Sequence, residues 1–389
     1  MKIEVAQRIR ELPPYLFARI DELKNEQKAK GVDIIDLGIG DPDLPTPPHV
    51  VAALQRAAEN PAHHRYPSYA GMMELRRAAA DFCARRFGLT LDAANEVVAI
   101  IGSKEGIAHL PVALVDPGDV VLCPDPGYPV YATGTRFVGG EVYSMPLRRE
   151  RGFLPDLGAI PADVARRAKL MWINYPNNPT AALAPRSFYE EVVAFAKQHE
   201  IIVASDMAYS EIYFDPADRP ASFLEIPGAM DVGIEFHSLS KTFNMTGWRV
   251  GFAAGHRALV GALGKVKTNV DSGVFEAVQA AAIAALSGDQ GCVAELRRIY
   301  HERRDVLCDG LRAAGFDVLV PKASFYLLIA CPTGFTSLEF AGKILAETGV
   351  VVTPATGFGA CGEGFVRLTV CADKSRLEEA ARRLAKVAR

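Results

Sequence analysis

Between about residues 95 and 255 the chain alternates short β-branched runs with stretches of helical periodicity. The runs lie at 97–101, 120–123, 141–145, 170–174, 201–205, 233–236 and 249–253. Strand and helix in alternation predict an α/β core on a mainly parallel, seven-stranded sheet. Over 187–199, Phe188, Val192, Val193 and Phe195 recur at helical spacing, which predicts a crossover helix and not a site. After about residue 283 the texture changes. Charged helical stretches at 295–313, 337–348 and 374–389 flank apolar runs at 323–330, 349–352 and 365–370, the pattern of a smaller α+β domain. The first 45 residues are broken by prolines in LPPYLF and DLGIGDPDLPTPP; they can wrap a core but not build one. The expected division is therefore a large domain over 46–282 and a small one over 1–45 and 283–389.

In a parallel sheet, ligands collect beyond the carboxyl ends of the strands, so polar residues there carry more weight than polar residues elsewhere. Gly102, Asn174, Asp206 and Ser238 all fall at such ends. Asp206 follows the apolar IIVAS, and a buried carboxylate wants a cation such as a protonated pyridine nitrogen; it can equally cap a helix. Tyr209, three residues on, can donate to a ring oxygen. Asn178, in INYPNNPT, is either plain turn chemistry or a fixed amide donor. Gly102, Ser103 and Lys104, in IIGSKEGIAHL, form a strand-to-helix junction whose free N–H groups suit a phosphate, unless Ser103 merely caps the helix. The spacing is not that of a P-loop. Tyr128, in DPGYPVY, can stack on a flat ring or simply pack. Arg367, mid-strand in GFVRLTV, should face an anion, whether a substrate carboxylate or an internal acid. Lys241, in SLSKTFNMTGWR, follows an apolar run and two serines. It is either a surface lysine on a turn or an amine that forms a Schiff base with a carbonyl cofactor, which resolves the cost of burying an ammonium. Ser238, Ser240 and Arg249 could then hold an anionic group.

Composition narrows the classes. The 389 residues are 49% hydrophobic and 23% charged, values of a soluble globular protein with a substantial core. A formal net charge of -3 offers no basic excess for nucleic acid or an anionic membrane. The 7 cysteines include no CxxC pair and no zinc spacing, so neither a redox motif nor a metal site is expected. No apolar leader core and no long apolar run appears, and a cytoplasmic location is the expectation.

The motifs in order are GSK, DPGY, NNPT, DMAY and SLSK with an arginine eight residues later. That order resembles the fold-type I, class I/II aminotransferases that use pyridoxal 5'-phosphate, and the resemblance runs from DLGIGDPD to GFVRLTV. It implies that Lys241 forms the Schiff base, Asp206 pairs with the pyridine nitrogen, Asn178 and Tyr209 bond the 3'-oxygen, and Tyr128 stacks on the ring. Ser103, Lys104, Ser238, Ser240 and Arg249 would hold the phosphate, joined by Tyr66 of HRYPSYAG from a second subunit. Arg367 would clamp the substrate carboxylate near the backbone of Gly40, with Tyr128 and Asn178 beside it. A homodimer with shared active sites follows from Tyr66.

LPPYLFARID, PDPGYPVY, EFHSLSKTFNMTGWR and DSGVF are similar, more narrowly, to the bacterial LL-diaminopimelate aminotransferases. These interconvert LL-2,6-diaminopimelate plus 2-oxoglutarate with tetrahydrodipicolinate plus glutamate in lysine biosynthesis. In that resemblance Tyr15 reaches the neighbouring subunit's substrate. Three positions depart from the family pattern: Ala181 and Ala355 stand where glycine is usual, and Ser205 where histidine is common. A broad alanine or aspartate aminotransferase and a carbon-sulfur lyase share the cofactor motifs. A regulatory domain that binds the cofactor without catalysis would need an attached basic DNA-binding segment, and only a few dozen residues precede GIGDPD.

Overall fold

The computed structural model describes residues 3–10, 12 and 16–388, with side chains from 22 onward within the helix Leu16–Ala29. All seven runs form strands of one sheet, in the order Val97–Ile100, Gly251–Gly255, Gly233–Ser238, Ile202–Asp206, Ala168–Asn174, Val120–Asp125, Glu141–Pro146. Only Gly251–Gly255 runs against the others. Helices cover both faces, so the central strands are buried along their whole length and side-chain alternation sorts their residues. Leu170, Trp172, Ile234 and Phe236 pack with Ile107, Leu110 and Leu263 on one face; Met171, Ile173 and Val203 pack with Phe188, Val192 and Leu286 on the other. Each such fully buried side chain contributes about 1.5–3 kcal/mol, which makes the sheet a rigid platform for the loops at its edge.

The differences from the expected bounds fall at the ends of strands and helices. The strand expected from residue 249 begins at Gly251, because Arg249 is left-handed at φ 54° and cannot continue a strand. The run at 233–236 extends to Ser238, which carries the strand directly into the lysine turn. The helix expected over 374–389 ends at Leu384 and closes in the 3₁₀ turn Ala385–Val387.

A second, antiparallel sheet has the order Thr353–Pro354, Phe365–Thr369, Tyr326–Ala330, Val318–Leu319. The N-terminal strand Ile35–Asp36 pairs in parallel with Val350–Val351, so residues from both ends of the chain share one cluster around Leu37, Phe325, Phe340 and Leu368. The 23-residue helix Gly291–Ala313 passes between clusters: Val293 packs beneath the large sheet, and Leu296, Tyr300 and Leu307 pack beneath the small one. On that helix Arg303 grips Asp43 with two bonds of 2.7 and 2.9 Å, which fixes the loop holding Gly38 and Gly40. No helix among the described residues is long and apolar enough to cross a membrane.

Candidate active site

Lys241 is the third residue of the one-turn helix Leu239–Thr242, which starts where the strand Gly233–Ser238 ends. Ser238 caps that turn by accepting from the Ser240 N–H at 3.2 Å. This geometry turns the lysine inward. Its Nζ donates to the Gly40 carbonyl at 2.9 Å and lies 5.6 Å from the centre of the Phe325 ring. Burial lowers its pKa below the ordinary lysine value, with the Arg367 and Arg249 charges acting in the same direction against Cys371 and Asp41. Gly40 must be a glycine, since a Cβ there would lie 1.9 Å from the Tyr326 hydroxyl.

Asp206 ends the strand Ile202–Asp206 and is 4% exposed. It accepts from the Tyr131 hydroxyl at 2.7 Å and the Ala208 N–H at 3.3 Å. Burial pushes its pKa up to about 6 against the lowering effect of the Tyr131 bond. Among the described residues no cation lies within ion-pair distance of this carboxylate. Tyr131 is itself fixed by stacking on Trp172, with ring centres 4.9 Å apart.

Arg367 poses the opposite problem. It lies on Phe365–Thr369, is 3% exposed, and donates to Asn178 Oδ1 at 2.8 Å and to the Gly38 carbonyl at 2.6 Å. The guanidinium is sandwiched between the Tyr326 and Phe358 rings, at 4.2 and 4.5 Å, and its Nε has no partner. Every acceptor it has is neutral. A buried cation without an anion is costly enough that an anionic ligand group is the natural complement. Tyr326 also meets the Tyr209 hydroxyl at 3.1 Å, linking this arginine to the Asp206 loop.

A third opening lies at the helix Ser103–Leu114. Its N-cap is Gly102, left-handed at φ 74°, with no side-chain cap; Ser103 is thus the first helical residue and not the cap. A Cβ on Gly102 would sit 2.2 Å from Arg249 Nη2, so glycine is what lets the guanidinium reach the helix start. Arg249 is held by bonds to the Thr246 and Ile101 carbonyls at 2.7 and 3.4 Å. Free N–H groups and a guanidinium together make an anion cradle.

The family model "Aminotransferase class I and II" matches residues 32–384. The chain belongs to this family. It is 56% identical to the LL-diaminopimelate aminotransferase of Syntrophobacter fumaroxidans, over 98% of each chain. It is 57% identical to that of Desulforudis audaxviator, covering 99% of this chain and 98% of the relative. A solved structure of substrate-bound BacF from Bacillus subtilis superposes with a TM-score of 0.95 at 41% identity, covering 100% of this chain and 98% of that one.

As a class I and II aminotransferase the protein is a pyridoxal-phosphate-dependent transaminase, and the three uncompensated groups fit that cofactor and its substrate. Among the described residues neither Asp206 nor Arg249 forms an ion pair, and the Lys241 amine feels the charges of both Arg249 and Arg367. Ser238 and Ser240 are buried at the same strand end. Tyr128 is half-buried, its ring edge-on to Tyr131 at 5.8 Å.

Not every expected residue converges. Lys104 is exposed, so at the helix start its backbone N–H is better placed than its ammonium. Tyr66 is 91% exposed on this chain, and Tyr15 lies outside the described residues. Ala355 is wholly buried against Leu147, Phe153 and Leu328, at the start of the turn Ala355–Phe358. Ser205 bonds Glu235 at 3.0 Å, and Glu235 in turn takes a bond from His237. Glu105, His109 and Asp271 bring three possible metal-ligand atoms together, but the Lys267 ammonium, 3.1 Å from both carboxylates, already supplies a cation there. Sequence reasoning overlooked Tyr131 and Tyr326. Tyr131 lies one helical turn beyond Tyr128, and a tyrosine inside the apolar run 323–330 needs a partner for its hydroxyl; either signal would have found them.

Proposed function

We propose that the protein transfers the amino group of LL-2,6-diaminopimelate to 2-oxoglutarate, in the direction set by supply, as a step of lysine biosynthesis. The observation that carries the reading is a lysine amine, a cation-seeking carboxylate and an anion-seeking arginine assembled in one site, in a chain 53–57% identical over nearly its whole length to enzymes of that name. Pyridoxal phosphate, when bound, supplies an electrophilic carbonyl for the amino group and a ring that drains negative charge from the substrate carbon. Arg249, Ser103, Ser238 and Ser240 would hold its phosphate, assisted by Lys104 and by Tyr66 of a second subunit. Asp206 would keep the ring nitrogen protonated, Asn178 and Tyr209 would bond its hydroxyl oxygen, and Tyr128 would stack on it.

Arg367, with Asn178 and the Gly38–Gly40 backbone around it, orients the substrate carboxylate so that the Cα–H faces Lys241. The Lys241 amine takes that proton as base and returns it as acid. Its lowered pKa keeps more of the amine neutral at working pH. The oxo acid leaves before 2-oxoglutarate enters the same site, a ping-pong cycle. Residues 46–282 serve as the cofactor-holding domain, and 1–45 with 283–389 as the smaller one. The protein works as a cytoplasmic homodimer, with Tyr15 directed at the neighbouring site.

A donor panel tests the assignment. Cofactor-loaded protein is given 2-oxoglutarate and, separately, LL-diaminopimelate, meso-diaminopimelate, alanine, aspartate or an aromatic amino acid, and glutamate is followed. LL-diaminopimelate is expected to be preferred. A preference for alanine with no response to LL-diaminopimelate removes the specific reading and leaves the transaminase.

A further inference from the structure

The turns Ala355–Phe358 and Ala360–Gly362 lie between two strands of the small sheet, yet their anchors are on the large one. Cys361 N donates to Asp125 Oδ1 at 2.9 Å, and Gly127 N donates to the Phe358 carbonyl at 2.7 Å. Asp125 is the last residue of the strand Val120–Asp125 and only 9% exposed. Gly359, left-handed at φ 139°, lets the two surfaces meet, for a Cβ there would lie 2.1 Å from Asp125 Oδ1. The carboxylate therefore lies against the backbone of the turn. Among the described residues it forms no ion pair; what it receives is N–H groups from Cys361 and Ala360 and the Ser144 hydroxyl. Burying a carboxylate without a cation is a cost that simple packing would not require. What the turn carries is Phe358, whose ring lies 4.5 Å from the Arg367 guanidinium.

We propose that Asp125 is a positioning residue for the substrate. Its carboxylate latches the 355–362 turn to the end of the parallel sheet and so holds Phe358 against Arg367 while the substrate carboxylate docks. The latch ties the sheet that bears Lys241 to the sheet that bears Arg367. It rests on the proposed function only in taking Arg367 as the carboxylate site. Releasing it frees the turn without touching Lys241, Asp206 or the Gly102 cradle; of the proposed cofactor residues only Tyr128, next to Gly127, adjoins the latch, so the expected change is mainly in substrate binding.

The test compares cofactor-loaded wild type with Asp125→Ala, Asp125→Asn and Gly359→Ala. KM and kcat are measured for LL-diaminopimelate with 2-oxoglutarate as acceptor, and for glutamate by passage of its isotope-labelled carbon skeleton into unlabelled 2-oxoglutarate, and amide hydrogen exchange over 355–364 is followed with and without cofactor. Asp125→Ala should raise KM about tenfold with kcat within about twofold, and speed exchange at 358–362 even in cofactor-free protein. Asp125→Asn, which keeps an acceptor oxygen, should recover most of the KM. Gly359→Ala pushes the same turn from the other side and should give the same signature with Asp125 intact, which covers the case in which Asp125→Ala does not fold. Unchanged KM and exchange in Asp125→Ala and Gly359→Ala overturn the latch. So does a fall in cofactor affinity and kcat at unchanged KM. If wild type turns over glutamate but not LL-diaminopimelate, the donor assignment fails and the latch is still read from glutamate and from exchange.

Discussion

The side of the site proposed to hold the cofactor and the side proposed to hold the substrate carboxylate are built in different ways. Lys241, Asp206, Ser238 and Gly102 all stand at or just beyond strand ends of one parallel sheet, each placed by its own strand and the first turn after it. The Arg367 pocket has no such local logic. Its bonds join residues 189 and 329 positions apart, and its walls are Tyr326 and Phe358 from neighbouring segments of the small sheet. Among the described residues the two sides also carry opposite unbalanced charges, a carboxylate without a cation and a guanidinium without an anion. Site parts fixed by a sheet should survive changes that ruin parts fixed by tertiary packing, so the two sides can be broken separately.

Lys241→Ala removes the group both sides serve and should cut kcat by about 10³-fold or more, measured as glutamate formed. Arg367→Lys should act on the carboxylate side alone. A lysine cannot reproduce the fork to Asn178 and Gly38 or the sandwich between two rings, so KM for 2-oxoglutarate should rise about 10²-fold with cofactor affinity unchanged. Asp206→Asn sharpens the other side. The folded-state pKa is raised from 3.8 to about 6, so between these values the native state binds more protons than the unfolded one and stability falls as pH rises. Cofactor-free wild type should therefore lose about 2 kcal/mol relative to Asp206→Asn between about pH 4 and pH 6, and bound cofactor should abolish the difference. Paired thermal melts across that range would show it. Tyr131→Phe removes one bond to the carboxylate and should cost about 1 kcal/mol, read as a several-fold fall in cofactor affinity with KM unchanged. Ala181 is left-handed at φ 59°, where the family pattern has glycine, and Ala181→Gly should raise stability by at most about 1 kcal/mol with activity untouched.

The same contrast governs what could be read in advance. The strand ends were legible because apolar runs announce strands and the polar residues after them announce the ligand edge; Lys241, Asp206 and Gly102 came from that rule. Arg367 was legible as a charge out of place in an apolar strand, but its partners were not, because nothing local relates residue 38 to residue 367. The start of the strand Gly251–Gly255 was misplaced by two residues because left-handed backbone at a non-glycine residue leaves no mark in the sequence. Ala355 was legible as a departure from the family pattern, but its burial against Leu147 and Phe153 was not, because those partners lie some two hundred residues away. Asp125 was passed over because its partners are backbone N–H groups of a turn more than two hundred residues away.

The central claim is that Lys241 is the amine that holds the cofactor and moves the substrate proton. Cofactor-loaded protein reduced with borohydride, digested and mapped by mass spectrometry tests it directly. A pyridoxyl mass on the peptide containing Lys241, lost in Lys241→Ala, is the predicted result; the mass on a peptide carrying Lys104 or Lys267 in its place would contradict the account.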